Sequence, residues 1–214
     1  MRDMKIDARK TVQVGLYDVN CSILGIGGEA WIVDPGSEAE RIIELCRKAS
    51  LAPKAILLTH AHFDHIGGVP TLAAAFPDMP IYIGRNDMKV IDHPMNQMPP
   101  EYPLIKRPKN LKDASLLESE SGIKVLDTPG HTPGGVCYYF AEDKILFSGD
   151  TLFAGSIGRT DFPGGDMPLL MQSLKLLAEL PDDTSVVPGH GPATTIGYEK
   201  AGNPFMRTAC SLRD

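Results

Sequence analysis

The distribution of apolar residues predicts strands near the start of the chain. Residues 12–24 and 29–33 alternate or run apolar with β-branched and aromatic members, and the glycine-rich stretch 25–28 separates them as a turn would. We therefore expect antiparallel pairing. Asp34, Pro35 and Gly36 end the second stretch, and residues 37–40 fit a capping box ahead of apolar residues at helical spacing. This pattern predicts a helix over 38–49.

A short, wholly apolar run follows at residues 55–58, which is typical of a strand covered on both faces. It leads directly into Thr59 and His60, and a second helix is predicted over 68–75. Residues 84–108 differ, because methionines and prolines crowd into a polar, irregular segment that is unsuited to a core element. We expect a long surface loop there, with a substrate lid as the alternative.

The second half of the chain returns to strands. They are predicted over 123–127, 136–140 and 144–147, with Glu142 and Asp143 at a hairpin turn. A helix is predicted to begin at Asp166, Met167 and Pro168, and leucines further along supply its apolar face before a last strand over 184–187. Nothing in the 214 residues marks a domain boundary, so we expect a single domain over 1–214.

Composition and charge exclude several classes of protein. Lysine and arginine total 21 against 27 acidic residues, a formal charge of −6 without any basic run, so nucleic-acid binding is not expected. The first residues contain no apolar signal segment, and no stretch approaches the roughly 18 apolar residues that cross a bilayer. The four cysteines are far apart, which indicates reduced, buried thiols rather than a disulfide framework. These features predict a cytoplasmic protein and leave its oligomeric state open.

The histidines provide the strongest chemical signal. Three of the six lie in the run His60-Ala61-His62-Phe63-Asp64-His65, directly after a predicted buried strand. Four ligand side chains on one short loop cannot all point the same way, so they can serve two adjacent points in space. Two metal ions would suit this run.

Three further candidate ligands follow one local order, in which a buried strand ends, a glycine follows and a ligand comes next. They are His131 after Gly130, Asp150 after Gly149, and His190 after Gly189. Glycine accepts backbone conformations closed to other residues and lets the main chain approach an ion. We therefore expect four strand ends to converge on one rim.

Five imidazoles and two carboxylates form a donor set that fits Zn²⁺, with Fe or Mn as alternatives, and fits Ca²⁺ or Mg²⁺ poorly. The set contains no thiolate, so it does not resemble a closed structural zinc site. Catalytic zinc keeps a position open for water, and two ions about 3.5–4 Å apart can share a hydroxide whose pKa lies near neutrality. The donor set therefore indicates hydrolysis.

The chain resembles the metallo-β-lactamase superfamily in four motifs. They are residues 59–65, residues 129–131, Ser148-Gly149-Asp150-Thr151 and Pro188-Gly189-His190-Gly191. The resemblance implies a four-layer αββα sandwich, an α/β fold with two mixed sheets, outer helices and the metals at one edge. It also implies the roles of the seven ligands: His60, His62 and His131 for the first metal, Asp64, His65 and His190 for the second, and Asp150 as the bridge.

Residues 149–153 and 158–166 resemble the short, single-domain glyoxalase II-like branch, which implies hydrolysis of small-molecule thioesters such as S-lactoylglutathione. The chain has no room for the additional helical domain of the long form, so the acyl group and the thiol carrier stay open. In the implied mechanism a bridging hydroxide attacks the thioester carbonyl while a metal stabilises the oxyanion. A thiol of pKa about 8.5 leaves readily as thiolate, without a dedicated acid.

Two residues receive roles beyond those of a simple ligand. Asp64 is expected both to bind metal and to orient the hydroxide. Arg159 is a candidate for binding a substrate carboxylate in a fork. The alternative for Arg159 is an ion pair with Asp161 or Asp166 that only shapes the loop. His93, the remaining histidine, is expected at the surface.

Other functions remain open at this point. The chain also resembles persulfide dioxygenases, in which one iron would be held by His60, His131 and Asp150. A non-catalytic metal-binding module is a further alternative, although the sequence offers no extra ligand to block the open coordination positions. A secreted β-lactamase is disfavoured by the lack of an export signal, and a nuclease by the acidic charge. Metal analysis and oxygen uptake separate the hydrolase from the dioxygenase.

Overall fold

Two mixed β-sheets face each other in the computed structural model, which describes residues 4–93 and 105–211. The first sheet contains, in spatial order, β1 Ala8–Val14, β2 Val19–Ile26, β3 Glu29–Val33, β4 Ala52–Leu57, β5 Ile81–Ile83 and β6 Leu111–Asp113. Strands β1, β2 and β3 pair antiparallel, and β3 to β6 run parallel to one another.

The second sheet is shorter and also mixed. Its spatial order is β13 Thr194–Thr195, β12 Ser185–Pro188, β9 Ile145–Gly149, β8 Val136–Phe140 and β7 Lys124–Asp127. Strand β12 runs parallel to β9, and the other pairs are antiparallel. A small hairpin of β10 Leu152–Phe153 and β11 Ser156–Ile157 follows β9 in the chain.

Helices connect the strands and cover both sheets. They are α1 Ala39–Lys48, α2 Phe63–Ile66, α3 Val69–Ala75, α4 Arg85–Met88, α5 Leu117–Ser121, α6 Met167–Leu177, α7 Ile196–Gly202 and α8 Pro204–Ser211, with a 3₁₀ turn at Ala114–Leu116. Among the described residues, no helix has both the length and the apolar character needed to cross a membrane.

Three apolar clusters separate four layers. Because side chains alternate along a strand, Leu57 of β4 faces the second sheet while its neighbour Ile56 packs under α1 and α3. On β9 the order is the same, with Phe147 between the sheets and Leu146 under α6 and α8. The result is a helix, sheet, sheet, helix sandwich, which confirms the expected αββα class.

Most of the strongly patterned predictions are confirmed, including the hairpin of β8 and β9 and the helices near 38–49 and 68–75. Asp166 caps α6, since its carboxylate accepts a hydrogen bond of 2.9 Å from the Leu169 amide. The predicted stretch 12–24 is two strands instead of one. Gly15 and Asp18 have positive φ values of 72° and 51°, and the turn they form separates β1 from β2.

The predicted capping box at residues 37–40 is wrong. The residue that precedes α1 is Glu38, which lies in the left-handed region with φ 54° and makes no side-chain capping bond. Its carboxylate instead accepts a 2.6 Å bond from the Arg41 guanidinium and one of 3.1 Å from the Gly15 amide. The acidic side chain therefore ties α1 to the β1–β2 turn.

Short elements were missed within regions predicted to be loops. The last three residues of the histidine run form α2 together with Ile66, and α4 lies near the start of the segment 84–108. Residues 94–104 lie outside the described residues, so the lid alternative for this segment stays a prediction. Cys21, Cys46 and Cys137 are buried as expected, whereas Cys210 is exposed.

Candidate metal centre

All seven predicted ligands lie at one edge of the sandwich, where strands of both sheets end. His60, His62, Asp64 and His65 follow β4, and His131, Asp150 and His190 follow β7, β9 and β12. Two groups have ligand atoms that all lie within 4.8 Å of one another: His60, His62 and His131, here called the first triad, and Asp64, His65 and His190, the second triad. His60, His65 and Asp150 form a third such group.

Asp150 lies between the two triads. One carboxylate oxygen is 3.4 Å from His65 Nε2. The other is 3.5 Å from His131 Nε2 and 3.6 Å from His190 Nε2. Asp64 completes the second triad with a carboxylate oxygen 3.3 Å from His190 Nε2. A single carboxylate thus contacts imidazoles of both groups.

The outward-facing nitrogen of four imidazoles is engaged by the protein. The bonds at Nδ1 are 3.0 Å from His60 to the Thr59 hydroxyl, 3.0 Å from His65 to Asp34, 2.7 Å from His131 to the Arg159 carbonyl, and 2.8 Å from His190 to the Tyr17 carbonyl. A carbonyl or carboxylate oxygen only accepts, so in three of these bonds Nδ1 carries the proton. Nε2 of those imidazoles is then free to bind a cation.

Several inward-facing atoms form no hydrogen bond within the described part of the chain. Nε2 of His60, His65 and His131 and one oxygen of Asp150 are buried without a hydrogen bond to the described residues. Buried polar atoms are normally satisfied, and metal-ligating histidines normally donate their other nitrogen to a carbonyl or carboxylate. This combination fits divalent metal ions, and an imidazole and carboxylate donor set suits Zn²⁺ or Fe²⁺.

Burial and neighbouring charges adjust the protonation of the cluster. Burial lowers the pKa of His60 and brings that of His62 to about 3, so both imidazoles are uncharged at neutral pH. Burial opposes the charged form of His65, but the carboxylates of Asp150 and Asp64 outweigh it and raise its pKa. Burial likewise opposes ionisation of Asp150, and His65 outweighs it and holds the pKa of the carboxyl below its usual range.

Two glycines allow the ligand-bearing loops to meet. A Cβ on Gly189 would lie 2.2 Å from the Asp150 carboxylate and 2.7 Å from the His65 ring. Gly149 has φ 49°, and a Cβ there would lie 2.3 Å from the Thr59 hydroxyl. A larger residue would push the loops apart at either position, as the expected role of these glycines requires.

Asp34 was not identified from the sequence, although it is central to the site. It directly follows β3, has φ 45° and is buried. Its carboxylate accepts bonds from the Thr59 amide (2.8 Å), the Thr59 hydroxyl (2.6 Å) and His65 Nδ1 (3.0 Å). The available signal is a carboxylate immediately after an apolar strand, but Asp34 lacks the preceding glycine that marks His131, Asp150 and His190.

Asn20 is a second residue that was missed. It lies on β2, and its side-chain amide donates to the Pro188 carbonyl (3.0 Å) and the Gly191 carbonyl (2.8 Å). Its main-chain amide donates to the Gly189 carbonyl at 2.7 Å. One residue of the first sheet therefore holds the loop of the second sheet that carries His190. Nothing local in the sequence indicates this pairing.

The side chain of Arg159 lies close to the cluster but is engaged elsewhere. Its guanidinium donates two bonds, of 2.7 and 2.6 Å, to the Asp161 carboxylate and stacks on the Phe162 ring at 3.8 Å. The Phe162 ring in turn lies 5.7 Å from the His62 ring. The geometry thus includes the ion pair considered as the alternative for Arg159. His93 is exposed and lies apart from the triads.

The sequence matches the family described as the metallo-beta-lactamase superfamily over residues 14–190. The chain belongs to this superfamily. It is 36% identical to hydroxyacylglutathione hydrolase GloC of Haemophilus influenzae, and the alignment covers 92% of this chain and 97% of the relative. The superfamily and this relative indicate a metallohydrolase.

Solved structures agree with this assignment. The structure of TTHA1623 in a di-iron-bound form is 40% identical with a TM-score of 0.82 and covers 92% of this chain and 99% of that one. The BLEG-1 B3 metallo-beta-lactamase is 37% identical with a TM-score of 0.81, over 93% and 99% of the two chains. ETHE1 from Myxococcus xanthus, at 24% identity and a TM-score of 0.72 over 97% and 92%, shares the fold. The iron in TTHA1623 leaves the identity of the metal in this chain open.

Proposed function

We propose that this chain is a binuclear metallohydrolase that cleaves thioesters, with S-lactoylglutathione or a related hydroxyacyl thioester as substrate. The position of the Asp150 carboxylate, within 3.6 Å of imidazoles from both triads, carries this proposal. A mononuclear centre would need only one triad. The likeness to GloC supports the thioester as the substrate class.

The seven ligands divide as follows in this proposal. The first triad would hold one ion and the second triad the other, and Asp150, which lies between the triads, would contribute to both sites. Zn²⁺ is the preferred metal, and Fe or Mn would fit the same donors. When bound, divalent cations would supply Lewis acidity, which lowers the pKa of water and polarises a carbonyl.

The residues of the chain then orient the reactants. Asp64, which is 12% exposed and faces the cluster, accepts a hydrogen bond from the attacking water and orients it toward the carbonyl carbon. The Arg159 guanidinium stacks on the Phe162 ring and donates to Asp161, and it exchanges the Asp161 carboxylate for a carboxylate of the substrate. The thiol leaves as thiolate, so no acid is assigned to the leaving group.

The proposal also concerns partners and compartment. We propose a small-molecule substrate, no nucleic-acid or membrane partner, and a cytoplasmic location. The acidic balance of the chain, with a formal charge of −6, supports the absence of a nucleic-acid partner.

The test is turnover by protein whose metal content has been measured. We expect about two zinc ions per chain and hydrolysis of S-lactoylglutathione faster than of the lactoyl thioester of N-acetylcysteamine, which has the same acyl group on another thiol. Asp150→Asn should abolish hydrolysis. Asp127→Asn, which changes an exposed carboxylate at the end of β7, should leave it intact. Equal rates on both thioesters would argue against a glutathione pocket.

Other outcomes would favour a different function. About one iron per chain together with oxygen consumption on glutathione persulfide would indicate a dioxygenase that uses His60, His131 and Asp150. Because BLEG-1 is described as a B3 metallo-beta-lactamase, a β-lactam belongs in the substrate panel. Hydrolysis of the β-lactam without thioester turnover would overturn the proposal.

A further inference from the structure

Helix α4 carries a fully buried carboxylate, that of Asp87, between two loops of the metal centre. One oxygen accepts a 2.8 Å hydrogen bond from the Ala61 amide. The other accepts a bond of 2.6 Å from the Gly134 amide. Ala61 stands between His60 and His62, and Gly134 follows His131 by three residues. The carboxylate thus joins the two loops that supply the first triad.

The main chain around Asp87 is packed to allow this bridge. A Cβ on Gly134 would lie 2.2 Å from the Asp87 nitrogen and 2.7 Å from its carboxylate. A Cβ on Gly84, immediately before α4, would lie 2.0 Å from the Gly134 carbonyl oxygen. The start of α4 and the His131 loop therefore touch backbone to backbone at two glycines. A short side chain on α4 can then reach both loops.

The charge of the Asp87 carboxylate is not balanced by a lysine or arginine among the described residues. In the part of the chain that the structure describes, no lysine or arginine forms an ion pair with its carboxylate. A buried charge is unfavourable unless it is paired or coordinates a metal. A cation held by the adjacent first triad would offset the negative charge of Asp87 without direct contact, and the charge would in turn favour that cation.

We propose that Asp87 is a positioning residue for the first triad. It holds the His60–His62 loop and the His131 loop in register, so that their imidazoles meet at one ion, and places a negative charge behind them. The inference rests on the metal occupancy in the proposed function and extends it to a residue without metal contact. Asp34 bonds an imidazole directly, that of His65 in the second triad, whereas Asp87 bonds main-chain amides of the loops that carry the first triad.

The test is Zn²⁺ binding by the full chain in competition with a chromophoric chelator. Asp87→Asn keeps one oxygen acceptor but turns an NH₂ group toward the other amide. We expect Zn²⁺ affinity at the first triad to fall about 10-fold to 100-fold and affinity at the second triad to stay unchanged. His190→Ala and His62→Ala backgrounds assign each binding step, because each of these changes removes a ligand from only one triad.

Glu199→Gln is the matched control. Glu199 is also fully buried and accepts bonds from the Gly155 amide, the Thr194 hydroxyl and the Asn203 side chain. Its substitution should lower stability while leaving Zn²⁺ affinity at both triads unchanged. Co²⁺-loaded Asp87→Asn should show an altered d–d absorption from one of its two ions, a signature that general destabilisation would not produce.

Unchanged Zn²⁺ affinity in Asp87→Asn, an equal fall at both triads, or the same fall in Glu199→Gln would each overturn the proposal. If Asp87→Asn does not fold, Asp87→Ser, whose hydroxyl can still accept one amide bond, decides the question on the same criteria. The measurement needs no substrate. A chain that binds Zn²⁺ as described but hydrolyses no thioester would contradict the proposed function and leave the role of Asp87 standing.

Discussion

Several imidazoles of the cluster bond to the protein through Nδ1. Their other nitrogen, Nε2, faces neighbouring residues of the cluster. For His65 the outer partner is the Asp34 carboxylate, and for His131 and His190 it is a main-chain carbonyl. These acceptors select the tautomer and fix the plane of the ring before any ion arrives. At the scale of single residues, the centre is therefore organised by acceptors that do not themselves bind metal.

Asp34 provides the clearest single-residue test. Asp34→Ala removes the acceptor of three bonds, including one from the Thr59 hydroxyl, and leaves the Thr59 amide and His65 Nδ1 without that acceptor. We expect the free energy of unfolding in the presence of chelator to fall by about 3 kcal/mol more than in Asp18→Ala. Asp18 is exposed and also has positive φ, 51° against 45° for Asp34, so the backbone strain is matched. Equal losses in urea unfolding would refute the assignment.

Arg159 provides a second test at this scale. Arg159→Ala should raise KM for a carboxylate-bearing thioester about 10-fold while lowering kcat less, because a charge-assisted bond to the substrate is lost. Asp161→Asn should lower KM, since it releases the guanidinium from its two bonds to that carboxylate. Steady-state kinetics on both variants separate these effects. An unchanged KM in Arg159→Ala would remove this residue from the binding site.

The ligands are presented by the ends of strands and by the turns that follow them. Loops after β4, β7, β9 and β12 converge because the two sheets end at the same edge of the sandwich. Asn20 fixes the last of these loops through bonds to the carbonyls of Pro188, Gly189 and Gly191. The contact between β2 and the loop of His190 thus helps to set the spacing between the triads, because a strand of one sheet holds a ligand-bearing loop of the other.

We predict that Asn20→Ala weakens Zn²⁺ binding at the second triad about 10-fold, because the loop of His190 loses two of its three bonds to β2. Chelator competition measures this affinity. Asn110→Ala is the matched control, because the Asn110 side chain also donates to two main-chain carbonyls, those of Pro77 and Met79, away from the triads. A similar loss of Zn²⁺ affinity in both variants would contradict a specific role for Asn20.

At the scale of the whole molecule, metal binding and folding are expected to be coupled. The two triads and Asp150 join residues from His60 to His190, and the ligands come from both sheets. An ion that binds only when these loops have assembled stabilises the native state by mass action. The sandwich and its metals should therefore unfold together.

Metal removal tests this coupling. Zn²⁺ at 100 times its dissociation constant should stabilise the chain by about 2.7 kcal/mol per site and raise Tm by roughly 5–10 °C for each of the two sites, relative to protein in chelator. Differential scanning calorimetry with and without Zn²⁺ measures the shift. The double variant His131→Ala/His190→Ala lacks one ligand of each triad and should respond far less. An equal response in the double variant would show that Zn²⁺ binds elsewhere.

The accuracy of the sequence-based predictions followed the length and strength of each local pattern. Strands β8 and β9 have continuous apolar runs, and helix α6 has apolar residues at helical spacing. Both patterns are visible in the local sequence. Strands β5 and β6 have three residues each and depend on pairing with neighbours, and α2 and α4 are single turns. Elements of this size have no stable local pattern, because tertiary contacts stabilise them.

Local patterns in the sequence predicted the candidate metal ligands and the buried strands that precede them, because ligand chemistry and strand patterns depend on neighbouring residues. The acceptors that hold those side chains, in contrast, are set by the three-dimensional fold. Asp34 bonds a residue 31 positions away, Asp87 bonds residues 26 and 47 positions away, and Asn20 bonds one 171 positions away. Such partners depend on the pairing of strands and the stacking of two sheets, and no local pattern encodes them.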